Sequence, residues 1–572
     1  MKTLSEIIAY NKKAKSLSYN QEVNIAILSN IVLNQIDHPL SMMLYEMGIK
    51  PNIVFGEYDN ILQDAERFSS FDIAIIFWEL QNLIDGFQYL GLNFSEEEID
   101  NLVNKTESEL LFVFKKMEKS PLVLINEFNT DPFNSNLINE NSIDRTCNRL
   151  NIFLKTNLPT NFKIINVNRI ISRISIEKSF DLRNFYTSKA LHSFSFFKAY
   201  VDHIKFFLAS RFGNVKKVLV LDCDNTLWGG IIGEDGVDGI KCDTSNGIGK
   251  AYYEVQKIIN TLFNQGVIVC LNSKNNLNDV KEAFDAKQMP LNFNKIIIKK
   301  VNWENKVKNL IEIGQELNVG TDSMVFIDDS DFEINLVKQE LPEVETIQVP
   351  KDIYLYPLVL REALNQFYNL NFTKEDLNKS EMYLVEQQRK KLQSNFENLN
   401  SYLETLQLQM AITVNEETTI NRVAQMTQKT NQFNTTTLRL TPNEIKDLME
   451  TKDKYVFSFS LSDKFGDFGI SGAALVSILN DTAIIDDLLM SCRVLGRKVE
   501  ETFINEIFKF LKKKGVNNCQ IPFLLTNKNK QVEEFFIRSN FVKVSFNEEK
   551  SLYVSELKTD KNLNIIKVKY EK

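Results

Sequence analysis

The stretch "VLVLDCDNTLWGG" (218–230) decides how the rest of the chain is read. Four apolar residues run into Asp222, Cys223 and Asp224, and Asn225, Thr226 and a Trp-Gly-Gly turn follow. A short, continuously apolar run of this kind predicts a strand buried on both faces, as in parallel sheets. In an open parallel sheet, ligands bind beyond the carboxyl ends of the strands. Two carboxylates flanking a thiol at such an end therefore predict a reactive site.

Working outward, the same texture repeats. Strands are expected at "KKVLVL" (216–221), "GVIVCL" (266–271), "NKIIIK" (294–299) and "SMVFID" (323–328). Between them, "KAYYEVQKIINTLFNQG" (250–266) and "WENKVKNLIEIGQEL" (303–317) carry helical spacing, the first closing on Gly266 as a C-cap. Each strand end offers polar groups. Asp222 and Asp224 follow the first strand and Ser273 the second. Lys306 opens the helix after the third, and Asp328 and Asp329 close the fourth.

Each type suits one task. A carboxylate leaving a strand can attack phosphorus or a carbonyl carbon, and a second one two residues on can serve as general acid and base. Attacking group and phosphate are both anionic, so a cation must cancel their repulsion. Mg²⁺ held by Asp222, Asp328 and the Asp224 position, through its backbone carbonyl, would do so. Ser273, Asn275 and Lys306 would hold the phosphate oxygens.

An apolar strand ending in D-x-D-x-T, then Ser, Lys and an acidic pair in this order, resembles the haloacid dehalogenase (HAD) superfamily. That resemblance implies Asp222 as nucleophile, Asp224 as acid/base, Ser273 and Lys306 as phosphate ligands and Asp328 as a magnesium ligand. "LDCDNTLWGGIIGEDGVDGI" (221–240), "NSKNN" (272–276), "NWENK" (302–306), "MVFIDDSDFE" (324–333) and "QMTQKTNQFNTTTLR" (425–439) are similar to the FkbH-like subfamily. The resemblance implies a loading reaction: a glyceryl unit taken from 1,3-bisphosphoglycerate, dephosphorylated, and passed as a thioester to an acyl carrier protein for polyketide-type biosynthesis. Cys223 then has a reading as the thiol that carries the unit. The alternative is a small buried filler. The glycine-rich 228–240 is expected as a loop or small hairpin forming a flap over the site.

Around this unit, residues 1–210 read as a further α/β domain, with strands at 24–30, 52–58, 71–78, 121–128 and 162–168 and a helix at 38–49. It resembles an SGNH-hydrolase-like flavodoxin fold without the hydrolase signature. "ILSNIV" stands where a G-D-S block belongs and His192 sits in "KALHSF", so docking or scaffolding is expected over a Ser29 nucleophile. The HAD-like unit spans 211–370. A polar helical connector, opened by a T-K-E-D capping box, spans 371–408. A smaller α+β region (409–572) resembles the GNAT acyltransferase fold, with strands at 409–414, 455–463, 470–479, 482–491 and 518–525 and helices at 418–430 and 499–515. In "CRVLGRKVEE" the positions Arg493, Gly496 and Arg497 match a loop that would hold the pyrophosphate of an acyl-CoA or a phosphopantetheine arm, with Lys498 replacing the last small residue.

Composition sets the outer bounds. At 572 residues the chain needs several cores. With 43% hydrophobic and 25% charged residues and a net charge of −8, it lacks the concentrated basic face that a nucleic-acid binder requires. The most apolar stretch, "DIAIIFW" (72–78), is strand-length and too short for a membrane span. The first residues lack a signal-peptide apolar region. The six cysteines contain no CxxC and read as reduced thiols, so a cytoplasmic location is expected. Three histidines leave no material for a His-rich zinc site.

Four functions fit these residues: glyceryl transfer to a carrier protein with dephosphorylation, a Mg²⁺-dependent phosphatase of a small phosphorylated metabolite, a scaffold with a dead site, and a CoA-dependent acyltransferase working through the third region. The intact set Asp222, Asp224, Ser273, Lys306 and Asp328 speaks against the dead scaffold.

Overall fold

The computed structural model describes residues 2–19, 21–33, 35–370, 382–383, 385–386, 389, 392–393, 396, 398–526, 528–546, 550–557 and 565–571. Two compact units make up the chain, Met1–Ala209 and Ser210–Lys572.

The first unit is a five-stranded parallel sheet of β1 (Glu22–Ser29), β2 (Lys50–Phe55), β3 (Ile73–Phe77), β4 (Leu122–Asn126) and β5 (Phe162–Ile165), in the order β2-β1-β3-β4-β5. This is the flavodoxin-like doubly wound order. β3 and β4 are buried along their whole length, which is why their sequences show no polar alternation. The helix Glu96–Lys116 starts on a capping box between Ser95 and Glu98, and buries Ile99, Val103, Leu110 and Val113 against the sheet.

The second unit holds two sheets. The first is parallel: β6 (Val218–Leu221), β7 (Ile268–Ser273), β8 (Ile298–Val301), β9 (Met324–Asp328) and β10 (Glu345–Gln348), ordered β10-β9-β6-β7-β8. The central strand is β6. Leu221 pairs with Leu271 of β7 and Ile327 of β9. The next residue on each strand is Asp222, Asn272 or Asp328, so register alone sets Asp222 level with Asp328. The third strand sits a few residues later than expected because Phe293–Lys295 forms a 3₁₀ turn first. β10 was not anticipated, since a four-residue, half-buried edge strand leaves little periodicity to read.

The second sheet of this unit is mixed. Its strands are β11 (Gln409–Val414), β12 (Lys454–Asp463), β13 (Gly466–Leu479), β14 (Thr482–Met490), β15 (Asn518–Leu524), β16 (Val542–Phe546), β17 (Lys550–Ser555) and β18 (Lys567–Tyr570). They run in the order β16-β17-β15-β14-β13-β12-β11-β18. The helix Val499–Lys513 lays Phe503, Ile507, Phe508 and Leu511 on it. The three C-terminal strands were not read from the sequence. The T-K-E-D box at 373–376 lies outside the described residues. The end of the expected connector is the helix Leu399–Leu406, which buries Tyr402, Leu403 and Leu406 in the core of the mixed sheet. No helix among the described residues is long and apolar enough to cross a membrane.

Candidate active site

At the carboxyl ends of β6, β7 and β9 the polar residues converge. Asp222 (4% exposed) and Asp328 (0%) are both buried. Lys306, first residue of the helix Lys306–Leu317, reaches between them, with Nζ 2.8 Å from Asp222 Oδ1 and 2.6 Å from Asp328 Oδ2. The helix begins there because Asn305 caps it, accepting from the Val307 amide at 2.7 Å. A buried asparagine network fixes its first turn. Asn272 Nδ2 donates to the Lys306 carbonyl at 2.9 Å, and Asn309 Nδ2 donates to Asn272 Oδ1 and to Asn302 Oδ1, each at 3.0 Å. Asn272, Asn302 and Asn309 were not singled out in the sequence, although the first two lie in the quoted "NSKNN" and "NWENK" stretches.

Asp222, Asp328 and the half-buried Asp329 present carboxylate oxygens within 4.8 Å of one another. Burial pushes Asp222 up to about 6 against the pull of Lys306, and the neighbouring Asp328 adds to the rise. Burial also raises Asp328 and Asp329. For Lys306, burial works against the charge, yet Asp222 and Asp328 outweigh it and raise the ammonium. Three carboxylates facing one ammonium leave an excess of buried negative charge. That imbalance and the all-oxygen donor set fit a hard divalent cation.

Asp224 was expected to serve the metal through its backbone carbonyl, and its side chain is engaged elsewhere. Its carboxylate turns away from the cluster: Oδ1 accepts from Trp228 Nε1 and from the Ile232 amide, both at 3.0 Å, and Oδ2 accepts from Asn275 Nδ2 at 2.9 Å. Only its backbone remains for the metal role, and Asp329 is the third carboxylate of the cluster. Asn275 also donates to Ser273 Oγ at 3.1 Å, so Ser273, Asn275 and Asp224 form one chain. The glycine-rich stretch, expected as a loop or small hairpin, holds a short helix, Ile232–Gly239. A bridge between Gly229 and Lys241 closes its base, and Gly236 (φ 66°) breaks it.

Cys223 has left strand geometry, and its carbonyl accepts from the amides of Thr226 at 3.2 Å and Leu227 at 2.8 Å. Its side chain is fully buried in the core cluster that includes Leu219, Leu221, Leu227 and Trp228, and it is hydrogen-bonded to the Ser273 side chain. Burial and then the neighbouring Asp222 push this thiol well above its ordinary range.

The remaining candidates lie elsewhere in their folds. Arg493, Gly496 and Arg497 sit at the end of β14 and before the helix Val499–Lys513, as read from the sequence, and the Gly496 amide and the Arg497 guanidinium are engaged internally. The Gly496 amide donates to Glu500 Oε1 at 2.9 Å, and Arg497 pairs with Glu386 and donates to the Arg493 carbonyl. β14 and β15 pair at 482–484 and 518–520 and then diverge. Residues 433–436 fill the gap: Met490 N donates to Phe433 O at 3.0 Å, Thr435 N to Leu488 O at 3.1 Å, and Leu524 N to Thr435 O at 2.8 Å. In the first unit, Ser29 Oγ bonds within its own turn to Ile31, whereas His192 Nε2 lies 2.9 Å from Glu79 Oε1. They form no nucleophile–base pair.

No protein-family model matches the chain. No curated protein matches it. Among solved structures, the N-terminal part of BF1531 from Bacteroides fragilis, which contains a phosphatase domain and is complexed with Mg, resembles the chain with a TM-score of 0.56 and 25% identity. The likeness covers 65% of this chain and all of that one. Two acetyltransferases resemble a smaller part. The ribosomal-protein-S18-alanine N-acetyltransferase from Escherichia coli covers 27% of this chain and 98% of its own (11% identity, TM-score 0.21). An N-acetyltransferase from Staphylococcus aureus covers 26% and 97% (11% identity, TM-score 0.21).

Proposed function

We propose that the chain is a Mg²⁺-dependent phosphoryl-transfer enzyme of the HAD type that acts on a small phosphorylated substrate. The observation that carries this reading is the Lys306 ammonium set between the buried Asp222 and Asp328, with the half-buried Asp329 completing an oxygen-only cation site. The likeness to a Mg-complexed phosphatase domain supports it. Mg²⁺ at Asp222, Asp328 and Asp329 would supply the positive charge that lets an anionic phosphate approach an anionic nucleophile.

The chain's own residues divide the work. Asp222 Oδ attacks phosphorus, forming an aspartyl phosphate as the substrate's ester oxygen leaves. Asp224 gives that oxygen its proton, then takes one from the water that releases phosphate. Ser273, Asn275 and Lys306 hold the phosphoryl oxygens. For Asp224 to reach the leaving group it must let go of the Ile232 amide, so flap movement and proton transfer are coupled.

The finer reading is FkbH-like. The donor is 1,3-bisphosphoglycerate: a thiol attacks its acyl carbon and inorganic phosphate leaves, forming a thioester, its second phosphate is hydrolysed at Asp222, and the glyceryl unit passes by thioester exchange to the phosphopantetheine thiol of an acyl carrier protein. The sequence resemblance supports this, as does the place of Cys223 between Asp222 and Asp224. Burial of the thiol means that Cys223 carries the acyl group only after the turn at 223–227 rearranges. The alternative without acyl transfer leaves Cys223 as packing.

Intact-mass spectrometry separates the readings. Enzyme, Mg²⁺, freshly generated 1,3-bisphosphoglycerate and a carrier protein bearing its arm should give a glyceryl-sized increment on the enzyme and then on the carrier, both lost in Cys223→Ser. Phosphate release with no adduct, unchanged in Cys223→Ser and abolished in Asp222→Asn, would leave a phosphatase. No phosphate release from any donor would overturn both.

A further inference from the structure

A cavity of about 340 Å³ lies within the second unit, between the amino-terminal end of the parallel sheet and the mixed sheet. It is a different place from the active site. Lys217 on its wall precedes β6 while Asp222 follows it, and five residues of extended chain separate them by about 16 Å. Its size falls in the range of small-molecule sites.

The lining is unusually cationic. Lys217, Arg422, Lys429, Arg493 and Lys528 come from four separate segments, and Asp322, paired with Lys528, is the one carboxylate among the described lining residues. Like charges gathered in a partly buried space repel: burial first, and then the neighbouring Lys528 and Arg439, hold the Lys217 ammonium below its ordinary value against the pull of Asp322. An anion entering such a cavity is attracted by the summed positive field of these side chains. Arginine and lysine arriving from several directions suit a tetrahedral oxyanion better than a planar carboxylate.

We propose that this cavity is a second ligand site, for a small molecule bearing a phosphate group, independent of the chemistry at Asp222. The charge on the walls, the cavity volume and the position between two sheets carry the assignment. An acyl-CoA threaded between β14 and β15 is disfavoured because residues 433–436 already occupy that gap. A bound phosphate would tie the amino-terminal end of the strand that carries Asp222 to the loop after β14, linking the two halves of the unit.

The molecule holds its own reporter. Cys492 lines the cavity and is half-exposed, whereas the other five cysteines are buried. The full-length chain is treated with iodoacetamide, and the Cys492 peptide is quantified by mass spectrometry. Additions are sodium pyrophosphate, inorganic phosphate, glycerol 3-phosphate, or sodium chloride at matched ionic strength. Phosphate-bearing anions should slow Cys492 alkylation at least about fivefold, with half-effect below about 1 mM, while chloride leaves it unchanged. Stronger protection by glycerol 3-phosphate points to an organic phosphate ester, and stronger protection by pyrophosphate to an inorganic source. Lys217→Gln and Lys429→Gln should each lose most of the protection while still releasing phosphate at the active site. Lys429 ends a helix, so that variant reports even where the Lys217 substitution impairs folding. Equal alkylation under all conditions, or protection that survives both variants, would overturn the proposal.

Discussion

At the scale of single residues, the site is a matter of which carboxylate is charged. In the proposed reaction Asp222 must be a carboxylate to attack phosphorus, and burial raises its carboxyl to about 6. Phosphate-release kcat/KM should therefore fall as pH drops through about 6 at limiting Mg²⁺. A cation stabilises the charged form, so the midpoint should move to lower pH as Mg²⁺ is raised. A limb that stays fixed across a Mg²⁺ titration would remove Asp222 from the cation site. The same reasoning separates two neighbours that look alike in sequence. Asp224 takes three N–H donors and faces the flap, whereas Asp329 faces the cluster. Nothing in "DCDNT" or "DDSD" states which way a side chain points after the strand ends. Register along β6 and β9 is local and readable, and the direction of a turn is not.

At the scale of elements, the segment 433–436 changes what the mixed sheet can do. Its backbone replaces the ladder that β14 and β15 abandon, and Glu500 occupies the amide of Gly496. Calorimetry with acetyl-CoA should therefore show no binding heat, and sub-millimolar binding would mean that the segment leaves its gap. The segment is anchored by buried Asp487, whose Oδ1 accepts from Thr435 Oγ1 at 3.0 Å and from the Thr436 amide at 3.1 Å. Burial pushes Asp487 up to about 6. A raised carboxyl in the fold binds its proton more tightly than in the unfolded chain, so its contribution is best below the ordinary carboxylate range and is lost as pH rises through 6. Asp487→Asn keeps the Oδ1 acceptor and removes the charge. The Tm difference, variant minus parent, should rise between pH 4 and pH 7, by an equivalent of up to about 2 kcal/mol. A flat difference would show that Asp487 is not held up by burial. The motif "QFNTTT" was visible in the sequence, but its use as a filler was not, because the strands it completes are more than fifty residues further along the chain.

At the scale of the molecule, the parallel and mixed sheets of the second unit are joined by specific contacts. Arg211 donates to the Arg439 carbonyl at 2.9 Å, Asn318 Nδ2 donates to the Cys492 carbonyl at 3.1 Å, and Lys528 pairs with Asp322. Gly213 (φ 75°) sits at this junction, and a Cβ there would fall against the Gln428 carbonyl oxygen, well inside contact distance. Left-handed backbone and the clash together predict that Gly213→Ala destabilises Ser210–Lys572 by about 2 kcal/mol or more. Denaturant titration followed by the phosphatase activity of the same samples would show it. An unchanged midpoint would mean that the two sheets can separate by enough to admit a methyl group.

The sequence by itself determined the parallel sheets and the placement of Asp222, Ser273, Lys306 and Asp328 at their strand ends. Apolar runs and the residues that stop them are properties of a few consecutive positions, and the strand-end geometry follows from the sheet. Only the tertiary structure decided that Cys223 is buried, that Asp329 and not the Asp224 carboxylate joins the cluster, and that residues 433–436 bridge β14 and β15 while Glu500 takes the Gly496 amide. It alone brought Lys217, Arg422, Lys429, Arg493 and Lys528 around one cavity. These outcomes depend on side-chain direction and on segments far apart in the chain, which no local pattern encodes.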